Sequence, residues 1–280
     1  MSSAAPRGKL KGMEETQARV IAGRYRVVRP LGRGGMGEVF LVEDLLPPRR
    51  RLALKRIPLA GDGRARAAAL EREFRTLRTL RHPHIATVDA FGWIRDGAQP
   101  AAAFFTSEFV EGSDLFEASR GLALADLWPL VAQLVAALEY VHARGIVHRD
   151  VKPSNVVVAS REDGAVAKLI DFGLAVRAAR GAAEAPAGTV RYMAPEVIES
   201  GVVDPRADLY ALGVTLYELL TGEPPFGGTA KEILRQHLER RLRPPSELRP
   251  ELPPAVDRLV LSLCAKDPRE RPRSARQVLE

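Results

Sequence analysis

The residues of this chain best suited to chemistry are an aspartate, a lysine and an asparagine spaced as Asp150-x-Lys152-x-x-Asn155, with a second aspartate downstream in Asp171-Phe172-Gly173. The first three sit inside the run His148-Arg149-Asp150-Val151-Lys152-Pro153-Ser154-Asn155. One carboxylate can orient a hydroxyl nucleophile, the ammonium can meet a migrating phosphoryl group, and the amide and second carboxylate supply hard oxygens for Mg²⁺. This is the inventory of phosphoryl transfer. A His-Arg-Asp triplet alone would mean little, because such residues often cap helices or pair on surfaces. Its weight comes from Lys152, Asn155 and Asp171 standing in register behind it.

Local elements must aim these groups into one cleft. Pro153 turns a short loop, and the apolar run Val156-Val157-Val158 anchors that loop as a strand. Asp171 follows a second short apolar segment, Lys168-Leu169-Ile170, so two hairpin strands would bring Asn155 and Asp171 together. Upstream, Leu127, Leu130, Val131, Leu134, Val135, Leu138 and Val141 recur at helical spacing and predict a long helix ahead of the catalytic loop; another begins near Asp208.

On these motifs the chain resembles a Ser/Thr protein kinase of the eukaryotic-like type found in bacteria, the family that serves as the general template for this chemistry. The resemblance implies an α+β, bilobal protein-kinase-like fold, with a small antiparallel β-rich N-lobe carrying one main helix and a larger, mainly helical C-lobe. Gly32, Gly34, Gly37 and Val39 fit G-x-G-x-x-G-x-V between strand-like runs at Tyr25 to Leu31 and Val39 to Val42. Glycines there would let the hairpin backbone approach the phosphates. No helix follows these glycines, as a dinucleotide fold would need, and no Gly-Lys-Ser/Thr follows, as a P-loop would need. Leu52-Ala53-Leu54-Lys55 resembles the strand whose Lys holds the α and β phosphates and pairs with a helix Glu. That helix is expected over Ala65 to Leu80, with Glu73 as the partner, Glu71 as the alternative, and Leu70, Phe74, Leu77 and Leu80 facing the core.

The resemblance carries further expectations. Val39 and Ala53 would lie above the adenine and Val157 below it, with Leu31 also counted among the nucleotide-binding residues; the backbone of Glu108 and Val110 would bond its edge, and Asp114 would meet the ribose. Ser107 would leave an open rear pocket. Gly188-Thr189 and Ala194-Pro195-Glu196 would bound the peptide-binding end of the activation segment, and Glu196 would pair with Arg271. Asp208 would brace the catalytic loop, and Leu77, Val88, His148 and Phe172 would form an apolar column between the lobes. In roles, Asp150, Lys152, Lys55 and Glu73 are the expected catalytic set, Asn155 and Asp171 the expected metal ligands, ATP and Mg²⁺ the expected cofactors, and protein Ser/Thr hydroxyls, this chain's own included, the expected acceptors. The alternatives are a kinase-like nucleotide-binding scaffold without transfer, which would typically have lost one of Lys55, Asp150, Asn155 or Asp171, and a small-molecule phosphotransferase of related fold.

One departure stands out. Arg149 before the catalytic Asp usually goes with a phosphorylated loop residue, yet Leu174 to Gly188 contains no Ser, Thr or Tyr. Glu184 is a candidate for a permanent substitute charge, with Thr189 and Tyr192 the remaining acceptors. With 280 residues, 46% of them hydrophobic, the chain can bury two modest cores. The lobes are expected at about 25–107 and 112–280, joined by a hinge at about 108–111, after a flexible tail over 1–24. The net charge of +7 is largely arginine without interleaved aromatics, which argues against nucleic acid. A single cysteine, Cys264, excludes an intrachain disulfide and suggests a cytoplasmic setting; no run reaches the roughly eighteen uncharged apolar residues of a membrane span. Ser274 to Glu280 reads as the opening of a helix, consistent with a catalytic segment of a longer, membrane-tethered or sensor-bearing protein. Oligomeric state is left open.

Overall fold

The structure, a computed structural model, describes residues 19–34, 37–59, 63–96, 99–171 and 190–279. The N-terminal part is a six-stranded antiparallel sheet in the order β1-β2-β3-β4-β6-β5. Its strands are Val20–Ile21 (β1), Tyr25–Gly34 (β2), Gly37–Asp44 (β3), Arg51–Pro58 (β4), Val88–Asp96 (β5) and Gln99–Glu108 (β6). Side chains alternate between its faces. Leu52, Leu54, Phe40 and Phe104 join Ile21 and Tyr25 in an outer cluster, while Phe105 and Ile57 face inward to the main core.

That core crosses the lobes. Leu70, Phe74 and Leu77 of α1 (Gly63–Leu77) share it with Val88, Leu115 and the buried stripe of α3 (Leu124–His142). All seven periodic positions predicted for α3 are buried, with Ala137 added. It is the helix long and apolar enough to cross a membrane among the described residues, and here its apolar face is core. A short α2 (Leu115–Ser119) precedes it, and α4 (Pro195–Ser200), α5 (Pro205–Thr221), α6 (Ala230–Glu239) and α7 (Pro254–Leu263) complete the C-lobe. Thirteen of the fourteen residues of α5 from Ala207 to Leu220, all but Glu218, are buried, as expected for a helix surrounded by others. Where α5 crosses the end of α7, a Cβ at Gly213 would lie 2.7 Å from Cys264 Sγ and 2.7 Å from Leu263 Cβ, so only glycine permits the approach. Cys264 is accordingly buried, and its thiol is pushed up to about 12 by desolvation.

Three expected boundaries move. The tail expected over 1–24 gives way before its end: Val20–Ile21 pairs with Arg26 and Tyr25, and Ile21 is buried. A two-residue strand is too short to leave a period, and the turn at Ala22 (φ 52°) and Gly23 (φ 65°) folds it back. Helix α1 begins at Gly63 and ends at Leu77, with Arg78 and Thr79 in a turn that still delivers Leu80 to the core. The segment from Ser274 does not open an α-helix; it forms a 3-10 turn over Arg276–Val278, because Ala275 and Val278 are pulled into the core.

Candidate active site

The loop that carries Asp150 hangs between α3 and a hairpin of β8 (Val156–Arg161) and β9 (Gly164–Leu169), to which the short β7 (Ser113–Asp114) adds a third strand. In that hairpin Val156 faces Leu169, and Ile170 N donates to Asn155 O at 2.8 Å. This closure sets Asn155 and Asp171 at adjoining strand ends, as the apolar runs around them predict. A 3-10 turn at Pro153–Asn155 supplies the bend expected of Pro153.

Asp150 is held on both oxygens. Lys152 Nζ donates to Oδ1 at 2.9 Å and Oδ2 at 2.7 Å, and Asn155 Nδ2 donates to Oδ2 at 2.8 Å and to the Asp150 carbonyl at 2.7 Å. With both amide protons of Asn155 spent on Asp150, its Oδ1 is the atom left to meet a cation. Charge-assisted bonds of this kind fix an acceptor's direction as well as its position.

Beneath the loop, Asp208 of α5 accepts from His148 N and Arg149 N, each at 2.8 Å, and from His142 Nε2 at 2.8 Å. This is the bracing role expected of Asp208. It matters because Arg149 sits at φ 70° and Asp171 at φ 54°, conformations that cost a residue with a Cβ about 1–3 kcal/mol each. His148 is fully buried, its Nε2 faces Ile170 O at 3.2 Å, and desolvation lowers its pKa. Leu77 and Val88 lie in the core as the expected column requires; Phe172 is outside the described residues.

Across the cleft, Lys55 Nζ reaches Asp171, contacting Oδ2 at 2.6 Å and also Oδ1. Only 9% of the lysine side chain is exposed, so this pair ties β4 to the hairpin. The side chain of Glu73, the expected partner of Lys55, lies outside the described residues. Glu71 pairs with Arg75 one turn on at 2.7 Å, a surface contact that leaves it out of the site.

The burial pattern sets apart a group of half-buried apolar side chains beside the Lys55–Asp171 pair. Val39 faces Lys55 in the ladder, and Ala53 faces Ser107, so the four share one face of the sheet. Val39, Ala53 and Val157 are only half-buried, while their neighbours Phe40, Leu52, Leu54, Val156 and Val158 are buried. Leu31 is also half-buried near the start of the glycine hairpin, in which Gly32 faces Val39 and Gly34 faces Gly37. A Cβ at Gly37 would come within 2.0 Å of Arg56 O, so this glycine is required by the neighbouring strand. Beyond β6, the peptide groups of Phe109 and Val110 have no backbone partner among the described residues. Glu108 N is engaged by Thr87 O at 2.8 Å, and the Glu108 carboxylate by Lys168 at 2.6 Å. Asp114 caps α2 by accepting from Glu117 N at 2.9 Å through Oδ1.

No group of three or more His, Cys, Asp or Glu side chains suited to a metal occurs among the described residues. An amide oxygen and one carboxylate fit a Mg²⁺ that shares its remaining positions with phosphate and water.

The peptide-side framework is partly visible. Arg271, fully buried, meets Glu196 with two bonds at 2.7 and 2.8 Å, as expected, and also donates to the carbonyls of Ala265, Arg206 and Lys266. Tyr192 donates its hydroxyl to Glu218 at 2.5 Å; burial raises both pKa values, and the bond adds to the rise for Tyr192 while opposing it for Glu218. The Tyr192 oxygen is therefore committed rather than free for modification. Gly188, Thr189 and Glu184 lie outside the described residues. Sequence reasoning passed over Glu108–Lys168 and Tyr192–Glu218, because no local pattern links charges so far apart in the chain.

Comparison with known proteins agrees with this geometry. A family model described as a protein kinase domain matches residues 25–280. The chain is 36% identical over 283 residues to serine/threonine-protein kinase pkn3 of Myxococcus xanthus, covering 94% of this chain and 50% of the relative. It is 38% identical over 263 residues to serine/threonine-protein kinase PknD of Mycobacterium tuberculosis, covering 90% of this chain and 38% of the relative. The chain thus spans half or less of these relatives' length. A crystal structure of a mutant kinase domain of PknI from Mycobacterium tuberculosis aligns with a TM-score of 0.72 at 31% identity, covering 93% of this chain and 94% of that one.

Proposed function

Because the chain belongs to the protein kinase domain family, we propose that it moves the γ-phosphoryl group of ATP to Ser and Thr hydroxyls of proteins, its own among them. The observation that carries this reading is Asp150, gripped by Lys152 and Asn155, beside the Lys55–Asp171 pair. In this reading Asp150 accepts a hydrogen bond from the incoming hydroxyl and takes its proton as the new bond forms. Lys152, already beside that carboxylate, offsets negative charge on the transferring group. Lys55 would exchange Asp171 for the α and β phosphates, and Asn155 Oδ1 and the freed Asp171 carboxylate would hold Mg²⁺. When bound, Mg²⁺ neutralises charge on the phosphates and aligns them for in-line transfer. Val39, Ala53 and Val157 cover the faces of the adenine, and the free peptide edge at Val110 bonds it.

The test is incubation of the purified chain with labelled ATP and Mg²⁺, with and without a generic basic protein, beside Asp150→Asn. Label on Ser or Thr, reduced about 10²–10⁴-fold in the variant while ATP binding persists, is the expected result. ATP binding with no transfer under any condition would instead make the chain a nucleotide-binding scaffold.

A further inference from the structure

His237 lies on α6, far from the catalytic loop in sequence, and none of its surface is exposed. Both ring nitrogens are used. Nδ1 faces the Tyr210 hydroxyl of α5 at 2.8 Å, and Nε2 faces the main-chain carbonyl of Arg191 at 2.9 Å. A carbonyl can only accept, so Nε2 must carry the proton; Nδ1 is then the acceptor, and the Tyr210 hydroxyl must donate to it. Burial raises the Tyr210 pKa, which keeps that hydroxyl protonated. The Phe226 ring packs edge-on at 4.8 Å, and Lys266 Nζ donates to His237 O at 2.6 Å. Burial, with the charge of Lys266, pushes the imidazole pKa down to about 4, so the ring is neutral over the ordinary pH range.

The carbonyl at the end of this relay belongs to the short segment that leads from Gly188-Thr189 to Ala194-Pro195-Glu196. Three of its residues are held by identifiable contacts. Val190 is buried against Phe226 and Ile233, Arg191 is held by its carbonyl, and Tyr192 is held by its hydroxyl on Glu218. Arg191 is the exposed one of the three, so its main-chain bond to His237 is what fixes the backbone where its side chain cannot.

We propose that His237, set in one tautomer by Tyr210, is a positioning residue for the peptide substrate: it holds the Val190–Met193 segment in the shape on which the acceptor peptide docks. The proposal rests on the kinase reading above. It separates two parts of that reaction, because nothing in the relay touches Asp150, Asn155, Asp171 or Lys55. Peptide recognition should therefore depend on His237, and nucleotide handling should not.

The experiment compares wild type with His237→Leu, His237→Gln and Tyr210→Phe, using a Ser-containing peptide that wild type phosphorylates, or the generic basic protein. Peptide KM, ATP KM, ATP hydrolysis without peptide, and hydrogen exchange at the amides of residues 190–193 are measured. The expected result is a peptide KM raised about tenfold in His237→Leu, the scale of one net hydrogen bond. ATP KM and hydrolysis stay at wild-type values, and exchange rises in residues 190–193. His237→Gln, whose amide can still donate to Arg191 O, should recover most of the loss. Tyr210→Phe, which removes one oxygen and keeps the ring, should give an intermediate KM and carries the test if His237→Leu does not fold. Unchanged peptide KM and unchanged exchange in a folded variant would overturn the proposal, as would an equal fall in hydrolysis and transfer. If wild type transfers to no acceptor while exchange still rises in the variants, the pin stands and the kinase reading is what fails.

Discussion

Arg149 and Asp171 both hold left-handed backbone angles at the catalytic loop, and Asp208 is the group that makes the first of them tolerable by accepting the Arg149 N–H. Replacing Asp208 with Ala would strand the buried amides of His148 and Arg149 and the His142 ring. At about 1–3 kcal/mol for each unsatisfied amide, a stability loss of about 2–6 kcal/mol is expected in urea unfolding, with transfer activity falling in parallel. Asp208→Asn, with one acceptor oxygen in place of two, should fall between. The grouping of Asp150, Lys152, Asn155 and Asp171 was legible because they stand within one loop and one strand end, where spacing is enough. The sequence did not announce the Lys168–Glu108 pair, which joins residues 60 positions apart on strands of two different sheets. Nor did it announce His237, whose partners come from α5 and from a loop 46 residues upstream.

Helix α6 is joined to its surroundings through a titratable group, which gives the C-lobe a pH dependence of definite sign. His237 has a folded pKa of about 4 against an ordinary 6.5, so between these values the unfolded chain binds the proton that the folded chain refuses. Stability from the neutral ring is complete above pH 6.5 and is lost as pH falls through about 4, amounting to about 3 kcal/mol in full. Urea unfolding from pH 7 to 4.5 should show a shallower decline for His237→Gln than for wild type. Long elements of this kind were legible in the sequence. The seven-position stripe of α3 is found buried throughout, because a periodic apolar face leaves a signal that grows with length. Short elements were not: β1 has two residues, and the last turn is shaped by where Ala275 and Val278 land rather than by its own propensity.

At the scale of the molecule, two regions share one core, and the Lys55–Asp171 pair closes the cleft between them. Bound Mg²⁺ and ATP would compete for both members of that pair, replacing one inter-lobe contact with several. MgATP at about a hundred times its dissociation constant should raise unfolding free energy by about 2.7 kcal/mol. ATP with a chelator should give less in the same thermal-shift assay, and Asp171→Asn should abolish the difference. The bilobal order was legible because the motifs occur in the order a kinase domain needs. Their mutual placement was not, since it depends on contacts such as Arg271 with Glu196, which are joined only once the helices have packed. The approach of α5 to α7 at Gly213 has one more consequence. Cys264, the chain's one thiol, is sealed by that crossing and made unreactive by its raised pKa. An alkylating reagent can reach it only in the moments when these helices part. The protein therefore carries an unlabelled clock for the opening of its own C-lobe, readable from the mass of a single adduct.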